Sequence, residues 1–439
     1  MKIMKFGGTS VGRPERMHDV ATLITRDEEP KIVVLSALSG TTNALVAIGD
    51  ACARGDKQQA KELIDKLDAH YQAFIQGLLT SEALIQKART IIGEHFEFLN
   101  IILKISFNDA LNKDILAQGE LMSTKMFSIY LEEKGIRHAL LPALEFMSID
   151  ANDEPQVEQI SARLKQLLKD YPDTGLFITQ GYICRNARGE VDNLKRGGSD
   201  YSASLIAAAI NASVCEIWTD IDGMHNNDPR VVSKTVAIEQ LSFDEAAELA
   251  YFGAKILHPA SIWPAQKYKI PVKLLNTMQP DAKGTIINEA AAVKGIKAVA
   301  AKDGITVVRI KSSRMLLAYG FLRKVFEIFE KYKTPIDMIA TSEVAVSLTI
   351  DSDASLEAIV KELQPFGDVE VLTGQSIIAI VGNDLSESAG ILAKIFTALQ
   401  TVNIGMVSFG GSTHNVSILV PTENKTVTLQ LLNSGVFGL

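Results

Sequence analysis

Short apolar runs alternate with helix-like stretches before residue 280, and this alternation limits the possible folds more than any other feature of the sequence. The runs that predict strands are residues 1–6, 31–36, 136–141, 175–181 and 214–219. The stretches that predict helices are residues 14–25, 44–115, 119–134, 155–169 and 201–212. Continuous apolar strands separated by helices are typical of a mostly parallel sheet flanked by helices. The sequence therefore predicts an α/β fold whose ligands bind beyond the carboxyl ends of the strands.

The pattern changes after residue 280. Small and polar residues at 281–284 and 289–293 indicate a boundary. Two units follow, and each predicts a strand, a helix and a strand: residues 305–310, 319–331 and 344–350, then 377–381, 389–400 and 415–420. We therefore expect a large α/β domain at residues 1–285 and two small α+β domains at 295–375 and 376–439. Tandem units of this size after a large domain suggest a sensor region attached to an enzyme.

Composition excludes several classes of protein. The 439 residues include 44 basic and 52 acidic side chains, so the net charge of −8 provides no general basic field for nucleic acid. The three cysteines are widely spaced, which predicts buried thiols in a reducing compartment rather than disulfides or a metal site. No apolar run reaches the roughly 18 residues of a membrane span. Because the first strand starts at Met1, we expect no signal peptide and a cytoplasmic location.

Two glycine turns each combine a cation with a predicted helix start. Residues 5–10 read Lys-Phe-Gly-Gly-Thr-Ser, and residues 196–200 read Arg-Gly-Gly-Ser-Asp. Backbone N–H groups at a helix start attract anions, and glycine allows a phosphate to approach closely. The alternatives are an ordinary strand–turn–helix corner and a plain capped helix.

Further charged residues follow the last predicted strand of this region. Thr219 ends that strand, Asp220 follows it, Arg230 lies ten residues after Asp220, and Lys255 stands in a Gly-Ala-Lys loop. Carboxylates at a strand end can position a nucleotide or hydrated Mg²⁺, although Asp-Gly at 222–223 can also be a simple turn. The chain contains no Ser-His-Asp arrangement, zinc motif, P-loop or protein-kinase loops. The two glycine turns, the basic residues and the carboxylates together favour phosphoryl transfer over hydrolysis.

Five motifs in register resemble the ordered motif set of the aspartokinase family. They are Lys-Phe-Gly-Gly-Thr-Ser at 5–10, Gly-Glu-Leu-Met-Ser at 119–123, Arg-Gly-Gly-Ser-Asp at 196–200, Thr-Asp-Ile-Asp-Gly at 219–223 and Asp-Pro-Arg at 228–230. The tail from Ile305 resembles the paired ACT domains of the lysine-sensitive, monofunctional members. The resemblance implies an amino-acid-kinase fold followed by two α+β ACT domains. It also leads us to expect no homoserine dehydrogenase half.

The resemblance implies that ATP and L-aspartate react to give ADP and 4-phospho-L-aspartate, and it assigns residues to four groups. The catalytic residues would be Lys5 and Asp200. The aspartate-binding residues would be Ser36, Thr42, Glu120, Arg196, Gly198 and Ser199. The nucleotide-binding residues would be Gly7, Gly8, Ser10, Thr219, Asp220, His225, Arg230 and Lys255. The lysine-effector residues would be Met315, Phe321, Leu322, Ile336, Asp337, Thr341, Ser342 and Glu343.

The resemblance also implies cofactors and assembly. Mg²⁺ would be bound mainly by ATP oxygens, without a protein metal site, and a homodimer or a dimer of dimers would form through the ACT domains. His225 departs from the family pattern, which usually has Tyr there, and this puts the adenine contacts in doubt. The open alternatives are another amino-acid kinase, acting on glutamate, carbamate or a nucleotide, and a non-catalytic amino-acid sensor.

Overall fold

The computed structural model describes residues 1–195, 197–253, 257–289, 293–312 and 319–439. Contacts within the described residues divide the chain into two compact units. The first unit comprises Met1–Met224, Glu239–Phe243 and Leu257–Glu289, and the second comprises His225–Ile238, Asp244–Ile256 and Ala290–Leu439. Two short segments from the expected 1–285 domain therefore belong to the second unit.

The strands of the first unit are β1 (Lys2–Phe6), β2 (Lys31–Leu35), β3 (Ala139–Leu141), β4 (Leu176–Gln180), β5 (Ile183–Arg185), β6 (Val191–Asn193), β7 (Cys215–Thr219), β8 (Gln240–Leu241), β9 (Val272–Asn276) and β10 (Thr285–Ile287). Eight of these described strands form one sheet in the order β3-β4-β2-β1-β7-β9-β10-β8. All neighbours in it are parallel except β9 and β10. Strands β2 and β4 are buried along their whole length, as expected for apolar strands covered on both faces. The predicted mostly parallel sheet is confirmed.

The helices of this part of the chain are α1 (Gly8–Val11), α2 (Pro14–Ile24), α3 (Thr41–Ala53), α4 (Lys57–Leu78), α5 (Glu82–Ile102), α6 (Asp109–Glu133), α7 (Ala143–Phe146), α8 (Val157–Lys169), α9 (Gly198–Ile210), α10 (Phe243–Tyr251) and α11 (Pro259–Lys267). Side-chain caps define some of the starts. The carboxylate of Asp56 accepts from Gln59 N–H at α4, and Asn108 accepts from Leu111 N–H at α6. Apolar faces of α2, α4, α5 and α6 pack with β1 and β2 in one large core.

One predicted helix start is wrong. Gly119 does not open a helix, because α6 runs without a break from Asp109 to Glu133. The glycine instead lies in mid-helix, where a Cβ would come within 2.8 Å of the Ala37 methyl carbon. Its missing side chain therefore allows α6 to lie close to the loop after β2.

The second unit contains β11 (Gly295–Lys311), α12 (Phe321–Lys331), β12 (Ile339–Thr341), β13 (Ala345–Ile350), α13 (Leu356–Leu363), β14 (Asp368–Asn383), α14 (Ile391–Ala398), β15 (Met406–Phe409), β16 (Asn415–Pro421) and α15 (Lys425–Phe437). Its six described strands form one antiparallel sheet in the order β12-β13-β11-β14-β16-β15. One apolar cluster packs α12 and α13, and another packs α14 and α15. The predicted strands and helices are confirmed, whereas β12, β15, α13 and α15 were not predicted.

Two smaller sequence expectations can be compared with the structure. Cys184 and Cys215 are buried, as predicted, but Cys52 is only half-buried. None of the described helices is long and apolar enough to cross a membrane.

Candidate active site and effector site

The carboxyl ends of five neighbouring parallel strands meet at one edge of the first unit's sheet. They belong to β4, β2, β1, β7 and β9. Backbone hydrogen bonds continue the pairing just beyond the strands: Ser36 N–H donates to the Phe6 carbonyl at 3.2 Å, and Thr277 N–H donates to the Thr219 carbonyl at 2.8 Å. The loops that carry most of the predicted substrate and nucleotide residues therefore leave the sheet side by side.

Lys5 and Asp200 form an ion pair at this edge. Lys5 is the penultimate residue of β1, and Asp200 lies in the first turn of α9. Lys5 Nζ and Asp200 Oδ1 are 2.6 Å apart, and the two side chains are 11% and 17% exposed. Low exposure weakens screening by solvent, and a carboxylate in the first turn is favourable for the helix dipole. The ammonium is therefore held in place and still partly accessible to a ligand.

The predicted phosphate turn is closely packed around Lys5. A Cβ at Gly7 would lie 3.4 Å from Lys5 Nζ, and a Cβ at Gly8 would lie 3.1 Å from the Ala37 carbonyl oxygen. The buried hydroxyl of Ser10 is 2.8 Å from the hydroxyl of Thr277. A Cβ at Gly7 would be in van der Waals contact with the ammonium, whereas a Cβ at Gly8 would crowd the loop after β2.

The start of α9 requires glycine and lies next to the end of β2. Gly197 has φ of +68°, and a Cβ there would lie 2.5 Å from the Cβ of Ser261. The Ser36 hydroxyl donates to the Ser199 hydroxyl at 2.9 Å. The predicted substrate residues Ser36, Gly198 and Ser199 thus meet where the end of β2 adjoins the start of α9. Thr42 is exposed near the start of α3.

Glu120 places a carboxylate in the interior of the first unit. Its Oε1 accepts a hydrogen bond from Ala37 N–H at 3.2 Å. Among the described residues no cation forms an ion pair with this carboxylate, which is 4% exposed. Burial raises the pKa of Glu120 to about 7. A buried carboxylate of this kind suits an ammonium supplied by a ligand.

The predicted nucleotide residues fall into both units. Thr219 and Asp220 belong to the first, where the Thr219 hydroxyl donates to Asp220 Oδ1 at 3.0 Å. Arg230 belongs to the second and donates from Nε and Nη2 to the two oxygens of Asp228, at 2.9 and 2.8 Å. This bidentate pair lowers the pKa of Asp228. His225, also in the second unit, has Nδ1 2.8 Å from a threonine hydroxyl, that of Thr235.

In the predicted effector region, the Asp337 side chain accepts hydrogen bonds from two other side chains. Its Oδ1 accepts from the Tyr251 hydroxyl at 2.5 Å and from Lys302 Nζ at 2.9 Å. Its side chain is only 1% exposed. Within the described residues, the other oxygen, Oδ2, is buried and has no hydrogen-bond partner.

The other effector residues that the structure describes differ in exposure. Phe321 is buried at the start of α12, whereas Leu322 is exposed and Ile336 is half-buried. Thr341, Ser342 and Glu343 are exposed, at the end of β12 and in the turn that follows. Ser342 N–H donates to the Ala345 carbonyl, which closes that turn.

Comparison with known proteins identifies the family. The model of the amino acid kinase family matches residues 1–276, and that of an ACT domain matches residues 378–435. The chain is 35% identical over 449 residues to the lysine-sensitive aspartokinase 3 of Escherichia coli, with 99% of both chains covered. The crystal structure of E. coli aspartokinase III with aspartate and ADP, in the R-state, matches with a TM-score of 0.82 at 33% identity and covers 100% of both chains. The T-state structure with lysine and aspartate matches with a TM-score of 0.82 at 34% identity and covers 100% of this chain and 99% of that one.

The chain belongs to the aspartokinase family. The match confirms the family predicted from the five motifs, and it confirms the amino-acid-kinase fold followed by ACT domains. Members of this family are ATP-dependent aspartate kinases, so the chain is an enzyme of the phosphotransferase class.

Three residues predicted from the aspartokinase motifs lie outside the described residues. They are Arg196 of the substrate group, Lys255 of the nucleotide group and Met315 of the effector group. The roles assigned to the remaining residues stay predictions.

Several residues that support this aspartokinase site were missed in the sequence. The Ser123 hydroxyl donates to the Ser36 carbonyl, and the Gln180 amide donates to the Thr124 hydroxyl, which in turn donates to the Glu120 carbonyl, each at 2.8 Å. These bonds hold α6 against the ends of β2 and β4. Gln180 ends a buried strand, and a polar residue there was the available signal. Ser123 closes the 119–123 motif but was given no role, and Thr124 looks like an ordinary helix residue.

Proposed function

We propose that the chain transfers the γ-phosphoryl group of ATP to the side-chain carboxylate of L-aspartate, giving ADP and 4-phospho-L-aspartate. This reaction is the first step of the aspartate pathway to lysine, threonine and methionine. The observation that carries the proposal is the Lys5–Asp200 ion pair at the edge where the parallel strands end. It is supported by the full-length similarity to aspartokinases, one of which has been solved with aspartate and ADP.

The chemistry requires positioning and charge rather than a general base. The aspartate side chain is already ionised at pH 7, because its ordinary pKa is about 3.9. The loose transition state of phosphoryl transfer is stabilised mainly by cations and hydrogen-bond donors. Lys5 would neutralise the moving phosphoryl group, and Asp200 would hold its ammonium in place. Gly7, Gly8 and Ser10 would surround the phosphates.

The proposed aspartate pocket separates the two charged groups of the amino acid. Arg196 would bind the α-carboxylate in bidentate fashion. The buried carboxylate of Glu120 would take the ammonium, which compensates for the desolvation that raises its pKa. The other members of the pocket would be Ser36, Thr42, Gly198 and Ser199.

The proposed nucleotide group consists of Thr219, Asp220, His225, Arg230 and Lys255. The residues present suit Mg²⁺, because the carboxylates of Asp200 at the start of α9 and Asp220 after β7 are hard oxygen ligands. Bound mainly through ATP oxygens, Mg²⁺ would neutralise charge on the phosphates. Arg230 would have to exchange its contact with Asp228 for a phosphate.

We further propose that L-lysine inhibits the enzyme by binding at the first ACT domain. The support is the similarity to a lysine-sensitive aspartokinase and to a solved complex with lysine. Asp337 or Glu343 is the carboxylate proposed to pair with the ligand's amine. Inhibition requires lysine to bind an inactive state more tightly, and a tenfold preference corresponds to about 1.4 kcal/mol.

A homodimer or a dimer of dimers through the ACT domains completes the proposal. Its support is exposed apolar side chains on the two outermost described strands of the second sheet: Ile339 on β12, and Val407 and Phe409 on β15. Light scattering coupled to gel filtration measures the mass directly. A cytoplasmic location is proposed from the widely spaced cysteines, which form no disulfide framework.

The decisive experiment measures ADP release with aspartate, glutamate and carbamate as acceptors. An aspartate kinase turns over with aspartate and prefers it clearly to the other two. Preference for glutamate or carbamate would identify a different amino-acid kinase. No turnover with any acceptor, together with lysine binding, would identify a non-catalytic sensor.

A further inference from the structure

Asp337 is held by two side chains from other parts of the second unit. Tyr251 ends α10 and donates its hydroxyl to Asp337 Oδ1, and Lys302 of β11 donates to the same oxygen. Lys302 Nζ also lies 2.9 Å from Asp351 Oδ2 and 4.5 Å from the centre of the Tyr251 ring. The four groups therefore form one connected cluster of an ammonium, a phenol and two carboxylates.

The chain immediately after Tyr251 is also fixed to β11. Gly253 has φ of +119°, and a Cβ there would lie 2.1 Å from the carbonyl oxygen of Ala301. Only glycine allows the backbone to pass so closely. Residues 251–253 thus contact β11 in two places. The backbone of Gly253 lies against the Ala301 carbonyl, and the Tyr251 side chain lies against the Lys302 side chain.

This placement relates the proposed effector site to the proposed nucleotide site along the chain. Lys255, proposed to bind the nucleotide, follows Gly253 by two residues. We propose that Tyr251 is a positioning residue that couples effector binding at Asp337 to the end of α10, from which the sequence continues to Lys255. The inference rests on the proposed lysine site and names the residue through which that site acts.

The carboxylate of Asp337 provides a physical reason for coupling. Within the described residues its Oδ2 is buried without a partner, and a buried acceptor of this kind is unfavourable until a donor reaches it. An effector ammonium that donates to Oδ2 adds a second cation beside Lys302. The carboxylate then shares its charge among more donors, which weakens the hydrogen bond from Tyr251. Effector binding and the Tyr251 contact are therefore coupled, and coupling is reciprocal.

The test is Tyr251→Phe, which removes the hydroxyl and keeps the ring beneath Lys302. The matched control is Tyr332→Phe, because the Tyr332 hydroxyl also donates to a carboxylate of the second unit, Glu362, at 2.5 Å. KM for ATP is measured without lysine and with saturating lysine, and lysine affinity is measured by calorimetry. We expect the lysine-induced change in KM to shrink at least about fivefold in Tyr251→Phe, the lower end of typical couplings, while lysine still binds. Tyr332→Phe should retain the full change.

Two results would overturn the inference. One is a lysine-induced change in Tyr251→Phe equal to that of the unmutated enzyme. The other is loss of lysine binding itself, which would make Tyr251 a binding residue rather than a link. If the unmutated enzyme neither binds lysine nor responds to it, the proposed effector is wrong. Hydrogen exchange then tests the contact between Tyr251 and Asp337 by itself. Tyr251→Phe should speed amide exchange in peptides covering 244–253, and Tyr332→Phe should not. Exchange rates in Tyr251→Phe equal to those of the unmutated enzyme would refute the positioning role.

Discussion

Replacing Lys5 by alanine removes the cation proposed to neutralise the transferred phosphoryl group. Loss of one donor to a transition-state oxyanion costs about 10²–10³ in kcat, or about 2.7–4 kcal/mol, and we expect a loss of this size. The substitution also leaves Asp200 without its ion-pair partner. Because that carboxylate is 17% exposed, water can partly replace the ammonium, and the free energy of unfolding should fall by only about 1–3 kcal/mol. With total stabilities of about 5–15 kcal/mol, the variant should fold.

Lys2 provides a matched control on the same strand. Its Nζ lies 2.7 Å from Asp27 Oδ2, and its side chain is 11% exposed, as is that of Lys5. Lys2 stands at the opposite end of β1 from the phosphate turn. Lys2→Ala therefore removes a similar ion pair without touching the proposed site. We expect kcat to stay within about twofold, with a stability loss no greater than that of Lys5→Ala, because Asp27 keeps its contact with Lys31.

The assay couples ADP release to NADH oxidation at saturating ATP and aspartate, with thermal unfolding measured on the same samples. A Lys5→Ala variant that is folded but retains near-normal kcat would refute the catalytic role, and so would an equal loss in Lys2→Ala. The double variant Lys5→Ala with Asp200→Asn separates the partners further. If Asp200 acts by holding Lys5, the double variant should be no slower than the slower single variant. Additive losses would give Asp200 a role of its own.

Three further predictions concern pH, regulation and local conformation. Because Glu120 has a pKa of about 7 and only its ionised form pairs with an ammonium, KM for aspartate should rise as pH falls below 7, by up to about tenfold per pH unit. Glu120→Gln should flatten this profile of KM against pH. A flat profile in the unmutated enzyme would contradict the role of Glu120. Thr341→Ala and Glu343→Ala should each raise the lysine concentration for half-inhibition, and inhibition curves identical to wild type would place the effector elsewhere. Gly197→Ala should lower the free energy of unfolding, measured by denaturant titration, by at least about 1–2 kcal/mol. The reason is that the positive φ of Gly197 and its closeness to Ser261 both oppose a Cβ. An unchanged free energy of unfolding would refute this reasoning.

Local sequence patterns were enough to predict β1 to β4 and β7 of the first sheet, the four inner strands of the second sheet, many of the helices and the glycine turns. The apolar runs at 31–36 and 214–219 became central strands because burial on both faces requires a continuous apolar segment. Gly197 was recognised as part of a glycine turn at a helix start, and the structure adds that its positive φ favours a residue without a Cβ. Each of these features depends on residues that are close together in the chain, so the sequence alone determines it.

Tertiary packing decided the rest. Lys5 and Asp200 are distant in sequence, and the placement of α9 beside β1 brings their charges to 2.6 Å. Gly119 looked like a helix start, but the packing of α6 on the loop after β2 placed it in mid-helix. The contact of Tyr251 with Asp337 had no sequence signal, since it joins the end of α10 to the segment between α12 and β12, 86 residues later in the chain. Such contacts depend on the packing and register of whole elements, which residues close together in the chain do not determine.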